Sequence, residues 1–217
     1  MRLRIRLLVA LLLFSASALA QRGFEGEIVY DVQSERQSGT LTLFLSPKGI
    51  RAEFKGQSAF TIIVPRDSLV AYRLNDKAKT YQELDLAEQK RLSASLGKLE
   101  TFNAERAGDE TLLGATCRRF KLKSPKREIE VWTATSLVDS VMLARLADAG
   151  ALVGLSPNAM ETMRKERLDG LPLKIVATEE ATSIRVEAKQ LKRKPLKASL
   201  FELPKSHRAE DNSSELK

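Results

Sequence analysis

The chain has 217 residues, one cysteine, one histidine and a formal net charge of +8. A single cysteine excludes an intrachain disulfide, and one cysteine with one histidine excludes a zinc site, which needs several nitrogen or sulfur ligands. A chain of this length fits one domain that buries roughly 70% of its unfolded surface without covalent staples.

Arg2, Arg4 and Arg6 precede an unbroken apolar run from Leu7 to Phe14, and Ala18-Leu19-Ala20 follows as a small-x-small cleavage site. Basic start, short apolar core and small residues in that order predict a secretory signal peptide over residues 1–20. The run is too short for a membrane span, which takes roughly 20 apolar residues. Cleavage after Ala20 starts the mature chain at Gln21, in the periplasm of a cell with two membranes. No cysteine stands just after the cleavage site, so the chain is not expected to be a lipoprotein. Export argues against nucleotide-driven chemistry, gene regulation and a nucleic-acid partner. Without the three leader arginines, 33 basic residues face 28 acidic ones, and +5 remains.

The first half of the mature chain reads as short strands. Phe24, Gly26, Ile28, Tyr30 and Val32 share one face by period-two alternation, as do Leu41, Leu43 and Leu45. Ser46-Pro47-Lys48-Gly49 is a turn. Segments 50–55, 60–64, 69–74 and 79–84 follow at close spacing and predict an antiparallel meander. Asp85 with Glu88 three residues on is a capping-box pattern, and Leu92, Leu96 and Leu99 then hold helical spacing. Strands resume at 105–113, 117–123 and 128–133.

Residues 136–169 predict a helical hairpin inserted between strands. Ser136 caps the first helix, Val138, Met142 and Leu146 line one side, and Gly150 ends it. Ser156-Pro157 opens the second, which carries Met160 and Met163. Strands return at 171–178 and at 184–189, where Ile184, Val186 and Ala188 alternate with charged residues, and 199–203 is a candidate last strand. Residues 205–217 read as a disordered polar tail. The expected architecture is therefore α+β. A single domain, 21–204, forms a strongly curved antiparallel half-barrel sheet with about three helices covering its concave face.

Few residues offer chemistry. His207 lies in the polar tail, where nothing holds an imidazole beside a partner. Glu128 and Glu130 share a strand face with Trp132. Paired carboxylates over an aromatic ring fit either a sugar-cleaving hydrolase or a solvated face with a half-buried tryptophan. Cys117 is either a small core residue or a thiol for an intermolecular disulfide or redox role. Met142, Met160 and Met163, with Leu146, form either plain core or the wall of an adaptable apolar cavity. Two basic runs stand out. One contains Arg118 and Arg119 and continues to Arg127. The other contains Lys192, Arg193 and Lys194. They suit solvated strand faces, anionic membrane headgroups or an acidic envelope protein. No cofactor or metal is expected, and the oligomeric state is not fixed by these patterns.

Several short motifs stand in order: Phe24-Glu25-Gly26-Glu27-Ile28-Val29-Tyr30, Gly49-Ile50-Arg51-Ala52-Glu53, Lys79-Thr80-Tyr81, Gly114-x-x-Cys117, Glu130-Val131-Trp132, Gly170-Leu171-Pro172-Leu173 and Phe201-Glu202-Leu203-Pro204. The set resembles the exported bacterial family known as domain of unknown function 4412. Lys205-Ser206-His207 stands where that family usually has an aromatic residue. The resemblance implies a layout similar to the lipoprotein-carrier fold, with an apolar cavity that takes acyl chains. It carries over no catalytic or binding residue. The expected function is a non-enzymatic envelope binding protein for lipid or another apolar ligand. The alternatives are an envelope protein-interaction or sensor module and a carboxylate-based hydrolase.

Overall fold

A computed structural model gives the fold and describes residues 24–35, 38–66, 68–88, 91, 101–138, 142, 146, 162–166, 170–179 and 182–210. Twelve strands form one sheet: β1 (Gly26–Ser34), β2 (Gly39–Ser46), β3 (Gly49–Gly56), β4 (Phe60–Pro65), β5 (Val70–Asn75), β6 (Thr80–Asp85), β7 (Asn103–Leu112), β8 (Ala115–Lys123), β9 (Arg127–Ala134), β10 (Leu171–Glu179), β11 (Thr182–Arg193) and β12 (Arg208–Ala209). Their order in space is β12-β6-β5-β4-β3-β2-β1-β11-β10-β9-β8-β7. Two meanders, β1 to β6 and β7 to β11, join where β1 pairs with β11. All neighbours are antiparallel except β12, which pairs parallel to β6.

Alternation in the sequence decides which side is buried. Tyr30 pairs with Leu41, which pairs with Phe54; Ile28 pairs with Leu43, which pairs with Ala52. These apolar residues therefore stack across one face, the core face, and all are buried. Bulges interrupt the ladders at Val29/Tyr30, at Pro172/Lys174 and at Arg106/Gly108. Each adds local twist. Beside the bulge in β10, the buried Tyr30 hydroxyl donates to the Pro172 carbonyl at 3.0 Å.

The opposite, outer face is treated differently in its two halves. Over β1 to β5 the chain after β11 crosses it as a strap. Lys48 Nζ donates to the Leu196 carbonyl at 2.7 Å, and the Leu196 amide donates to Glu25 Oε1. A 3-10 turn at Ala198–Phe201 then presses Phe201 onto Gly49, where a Cβ would lie 2.7 Å from the phenylalanine. Leu196 and Phe201 are buried, as are the outer-face residues Ile63 and Leu74. The strap ends in β12, beside Thr80 and Tyr81.

Three expectations change. The α+β class with about three helices over a concave face is wrong: among the described residues the protein is mostly β, one open sheet, with helical backbone only in short pieces such as 86–88 and 162–165. The helical spacing of a few leucines and methionines was real but local, whereas strand pairing runs unbroken through the whole order. Asp85 does start a helical turn, accepting the amides of Ala87 and Glu88 at 2.8 and 3.1 Å. Residues 92–99 and most of the 136–169 hairpin lie outside the described residues. Second, 199–203 is a turn rather than a strand, because Phe201 must point down onto Gly49. Third, residues 205–210 are placed against β6, and 211–217 lie outside the described residues.

Candidate functional site

The buried apolar residues form two clusters. The larger includes Ile28, Leu43, Leu45, Ile50, Ala52, Leu171 and Leu173, and Met142 and Leu146 join it. The smaller gathers Phe102, Phe120, Leu122, Ile129, Val131 and Ile175 around Met163. Val186 packs against both. The segment between β9 and β10 thus delivers apolar side chains to both clusters. Of the four residues singled out from sequence, Met142, Leu146 and Met163 are buried here, and Met160 lies outside the described residues.

Across β8 to β10 the outer face bears charge. The Trp132 ring lies beneath two cations, Lys174 Nζ at 4.3 Å and the Arg119 guanidinium at 5.0 Å from its centroid. Its indole N–H donates to Glu110 at 2.7 Å. Glu130 accepts Arg119 at 2.8 Å and lies 3.1 Å from Lys121. Burial works against its charged form, but the hydrogen bonds from Arg119 and Lys121 win and hold it below the usual carboxylate range. A carboxylate held ionised by two cations cannot serve as the protonated acid of a glycoside-cleaving pair. Glu128, 4.0 Å from Lys121, belongs to the same network.

The basic candidates separate. Arg118 is exposed on β8, while Arg119 is bound into the Trp132 and Glu130 cluster. Lys192 and Lys194 share Glu27, at 3.8 and 2.5 Å, and Arg193 lies over the Phe24 ring at 5.3 Å. The hydrogen bond from Lys194 is the largest influence holding Glu27 below its ordinary value. Strand β10 stands between the two basic runs.

Cys117 is buried and its thiol lies 3.6 Å from the Ala115 carbonyl. Burial pushes its pKa up, so the reactive thiolate is disfavoured. His207 is no loose tail residue. Its side chain is 3% exposed, with Nε2 3.2 Å from Asp76 Oδ1 in a contact without hydrogen-bond alignment. Sequence reading missed this histidine and Phe201. The available signal was Phe201-Glu202-Leu203-Pro204, an apolar pair in a polar stretch that needs a surface to cover.

The family described as Domain of unknown function (DUF4412) matches residues 24–207. The chain belongs to this family. Among curated proteins no relative matches its sequence. Solved structures similar to this member include PNGF-II (18% identity, TM-score 0.41). A MucA/MucB complex from Pseudomonas aeruginosa has 13% identity and a TM-score of 0.43. An outer membrane lipoprotein-sorting protein domain from Vibrio parahaemolyticus has 9% identity and a TM-score of 0.35. These three matches cover 86%, 83% and 86% of this chain. The chain spans 31% of the PNGF-II chain, 56% of the chain from the MucA/MucB complex and 93% of the Vibrio domain.

Proposed function

We propose that this protein is an exported, non-enzymatic binding protein of the bacterial cell envelope that takes a lipid or another apolar ligand between the core face of its sheet and the segment carrying Met142, Leu146, Met160 and Met163. The observation that carries this reading is the presence of two buried apolar clusters with a methionine from the same connecting segment in each. Methionine is unbranched and polarizable, and it repacks around varied apolar shapes at little cost. The reading includes export through the 1–20 leader and a periplasmic mature protein that begins at Gln21 without lipid attachment.

The hydrolase alternative is not carried forward, because Glu130 is committed to Arg119 and Lys121. For the protein-interaction alternative, β12 covers Thr80 and Tyr81 at the start of the β6 edge. At the other edge, β7 is studded with Glu105, Arg106, Asp109 and Glu110 and kinked at Gly108, devices that discourage strand addition.

Native mass spectrometry of the freshly exported protein, followed by titration with a fluorescent fatty acid, tests the reading. The expected result is saturable binding that Met142→Phe or Met163→Trp weakens while thermal stability changes little. If the methionines are only packed core, the same enlargements lower stability by about 1–3 kcal/mol and the wild type binds no probe. That second pattern refutes the proposal.

A further inference from the structure

His207 is the chain's single histidine, and the fold carries it to the far end of the strap. Histidine is the side chain whose ordinary pKa, about 6.5, places its charge change between pH 5 and 8. The His207 side chain is 3% exposed and lies against the turn that joins β5 to β6. Backbone bonds set it there. The His207 amide donates to the Pro204 carbonyl at 2.9 Å, the Arg208 amide to Lys79 at 3.1 Å and the Glu210 amide to Tyr81 at 2.8 Å. The last two flank β12, whose parallel pairing covers Thr80 and Tyr81 on the β6 edge.

Both ring nitrogens face polar atoms. Nδ1 is 3.2 Å from Ser206 Oγ. Nε2 is buried and lies 3.2 Å from Asp76 Oδ1 without forming a hydrogen bond. The other carboxylate oxygen is taken, since buried Thr61 donates to Asp76 Oδ2 at 3.2 Å. That bond leaves Oδ1 for the ring. Thr80 Oγ1, on the residue that pairs with Arg208, is also buried without a partner. A buried polar atom without a partner costs stability, so hydrogen bonding leaves this corner of the strap weakly held.

A proton on the ring changes that balance. The neutral ring meets the carboxylate as a dipole. An imidazolium meets it as an ion pair and carries N–H groups toward Asp76 and Ser206 together. Burial opposes the ring's charge, and so do the cations of the corner: Lys77 and Lys79 on the turn, Lys205 and Arg208 on the strap, and Arg73 on β5, which lies over the Phe60 ring. Strand β6 adds Glu83 and Asp85, the strap adds Glu202 and Glu210, and β4 adds no charge. All of these side chains belong to exposed residues, where water and salt screen them. Asp76 touches the ring.

We propose that His207 and Asp76 form an acid-closed latch on the strap: the protonated ring pairs with the carboxylate and holds β12 on β6, and loss of the proton loosens the strap's end and uncovers the edge at Thr80 and Tyr81. An uncovered edge offers its backbone to another strand, so the latch sets when this edge is available. The latch contribution is present at acid pH and is lost as pH rises through the histidine range. The seat of Phe201 on Gly49 contains no titratable group, so the middle of the strap stays in place. The latch does not depend on the cavity reading, since its residues lie outside both apolar clusters.

The test is amide hydrogen exchange followed by NMR at pH 5.5 and 7.5, with protection corrected for the intrinsic rate at each pH. The Arg208 and Glu210 amides are expected to be about threefold or more better protected at pH 5.5, the scale of a partly exposed ion pair. Protection of the Leu200 amide, which donates to Lys197 in the middle of the strap, and of the β2 amides should not change. The one imidazole signal should titrate over the same range as the protection. His207→Gln and Asp76→Asn should each remove the difference. Asp76→Asn keeps an oxygen for Thr61 and leaves the ring in place, so it decides the matter if His207→Gln lowers β2 protection and thus disturbs the fold. Equal protection of Arg208 and Glu210 at the two pH values in wild type overturns the proposal. So does greater protection at pH 7.5, or a pH dependence that survives in Asp76→Asn.

Discussion

The strap across the outer face stands or falls with Phe201 on Gly49. Phe201→Ala removes a ring that is 2% exposed. Burial of such a side chain contributes about 1.5–3 kcal/mol by transfer alone, and the cavity left behind raises phenylalanine truncations to about 3–5 kcal/mol. The strap is peripheral and settles onto the gap, so a loss near 3 kcal/mol is expected. Gly49→Ala attacks the same contact from below. Its new Cβ would lie 2.7, 2.8 and 2.9 Å from Cβ, Cδ1 and Cγ of Phe201, an overpacking of about 1–3 kcal/mol. In the double variant the ring no longer pins the strap, which can lift from the new methyl. The combined loss should then fall short of the sum by about 1 kcal/mol or more, the coupling expected of touching residues. Urea melts of the four proteins give the cycle. Limited proteolysis adds a local readout, because a freed strap is cut between Lys194 and Lys205 before the sheet unfolds. Strict additivity, with no early cleavage in Phe201→Ala, would falsify the claim that this contact holds the strap.

Three further outcomes are expected. Tyr30→Phe leaves the Pro172 carbonyl without its donor and should destabilise by about 1–3 kcal/mol. Burial also raises the Tyr30 pKa above its ordinary 10.0, so the stabilisation from its neutral form is complete below pH 10 and fades as pH climbs beyond it; alkaline melts of the variant should lose that slope, and an identical slope in both proteins rejects the buried hydroxyl. Glu130 has its folded pKa below its ordinary 4.5, so its contribution is present above that value and is lost as pH falls through the lowered one. Glu130→Gln should flatten the acid limb of a pH–stability curve and shift neutral stability by no more than about 1 kcal/mol, as for other partly exposed pairs; an unchanged acid limb counts against the ion-pair network. Cys117 should resist thiol reagents until denaturant opens the fold, and Cys117→Ser should destabilise by about 1–3 kcal/mol; rapid labelling of native protein contradicts its burial.

Strands were legible because each carries its own period-two signal. Segment after segment, from Phe24–Val32 to Ile184–Ala188, the apolar positions alternate, and the core face follows directly from them. Class was misread because helical spacing is also local: Leu92, Leu96 and Leu99 satisfy it without saying how much of a face is covered. The strap was invisible for a different reason. Residues 194–210 have neither period, and their partners lie about 150 residues away, as in Lys48 with Leu196 or Arg51 with Leu200. Only Phe201 marks the contact, and the notch that receives it is a glycine, which sequence reads as a turn. Charge misled in the same way. Glu128 and Glu130 looked like a pair with each other, but cross-strand register gives Glu130 to Lys121, and Arg119 joins it from the neighbouring position.

The distribution of closure across the sheet bears on where a ligand can enter. One half of the outer face lies under the strap, and Trp132 on the other half is covered by Arg119 and Lys174. Of the two edges, one is occupied by β12 and the other carries charges and a kink. What remains is the core face, and Met142, Leu146 and Met163 of the segment between β9 and β10 are buried in the apolar clusters. Under the proposed function, a ligand lies against the methionine-bearing segment, and binding should lower proteolysis within 139–169 while leaving the strap at 194–205 unchanged. Protection of the strap instead would place the ligand on the outer face.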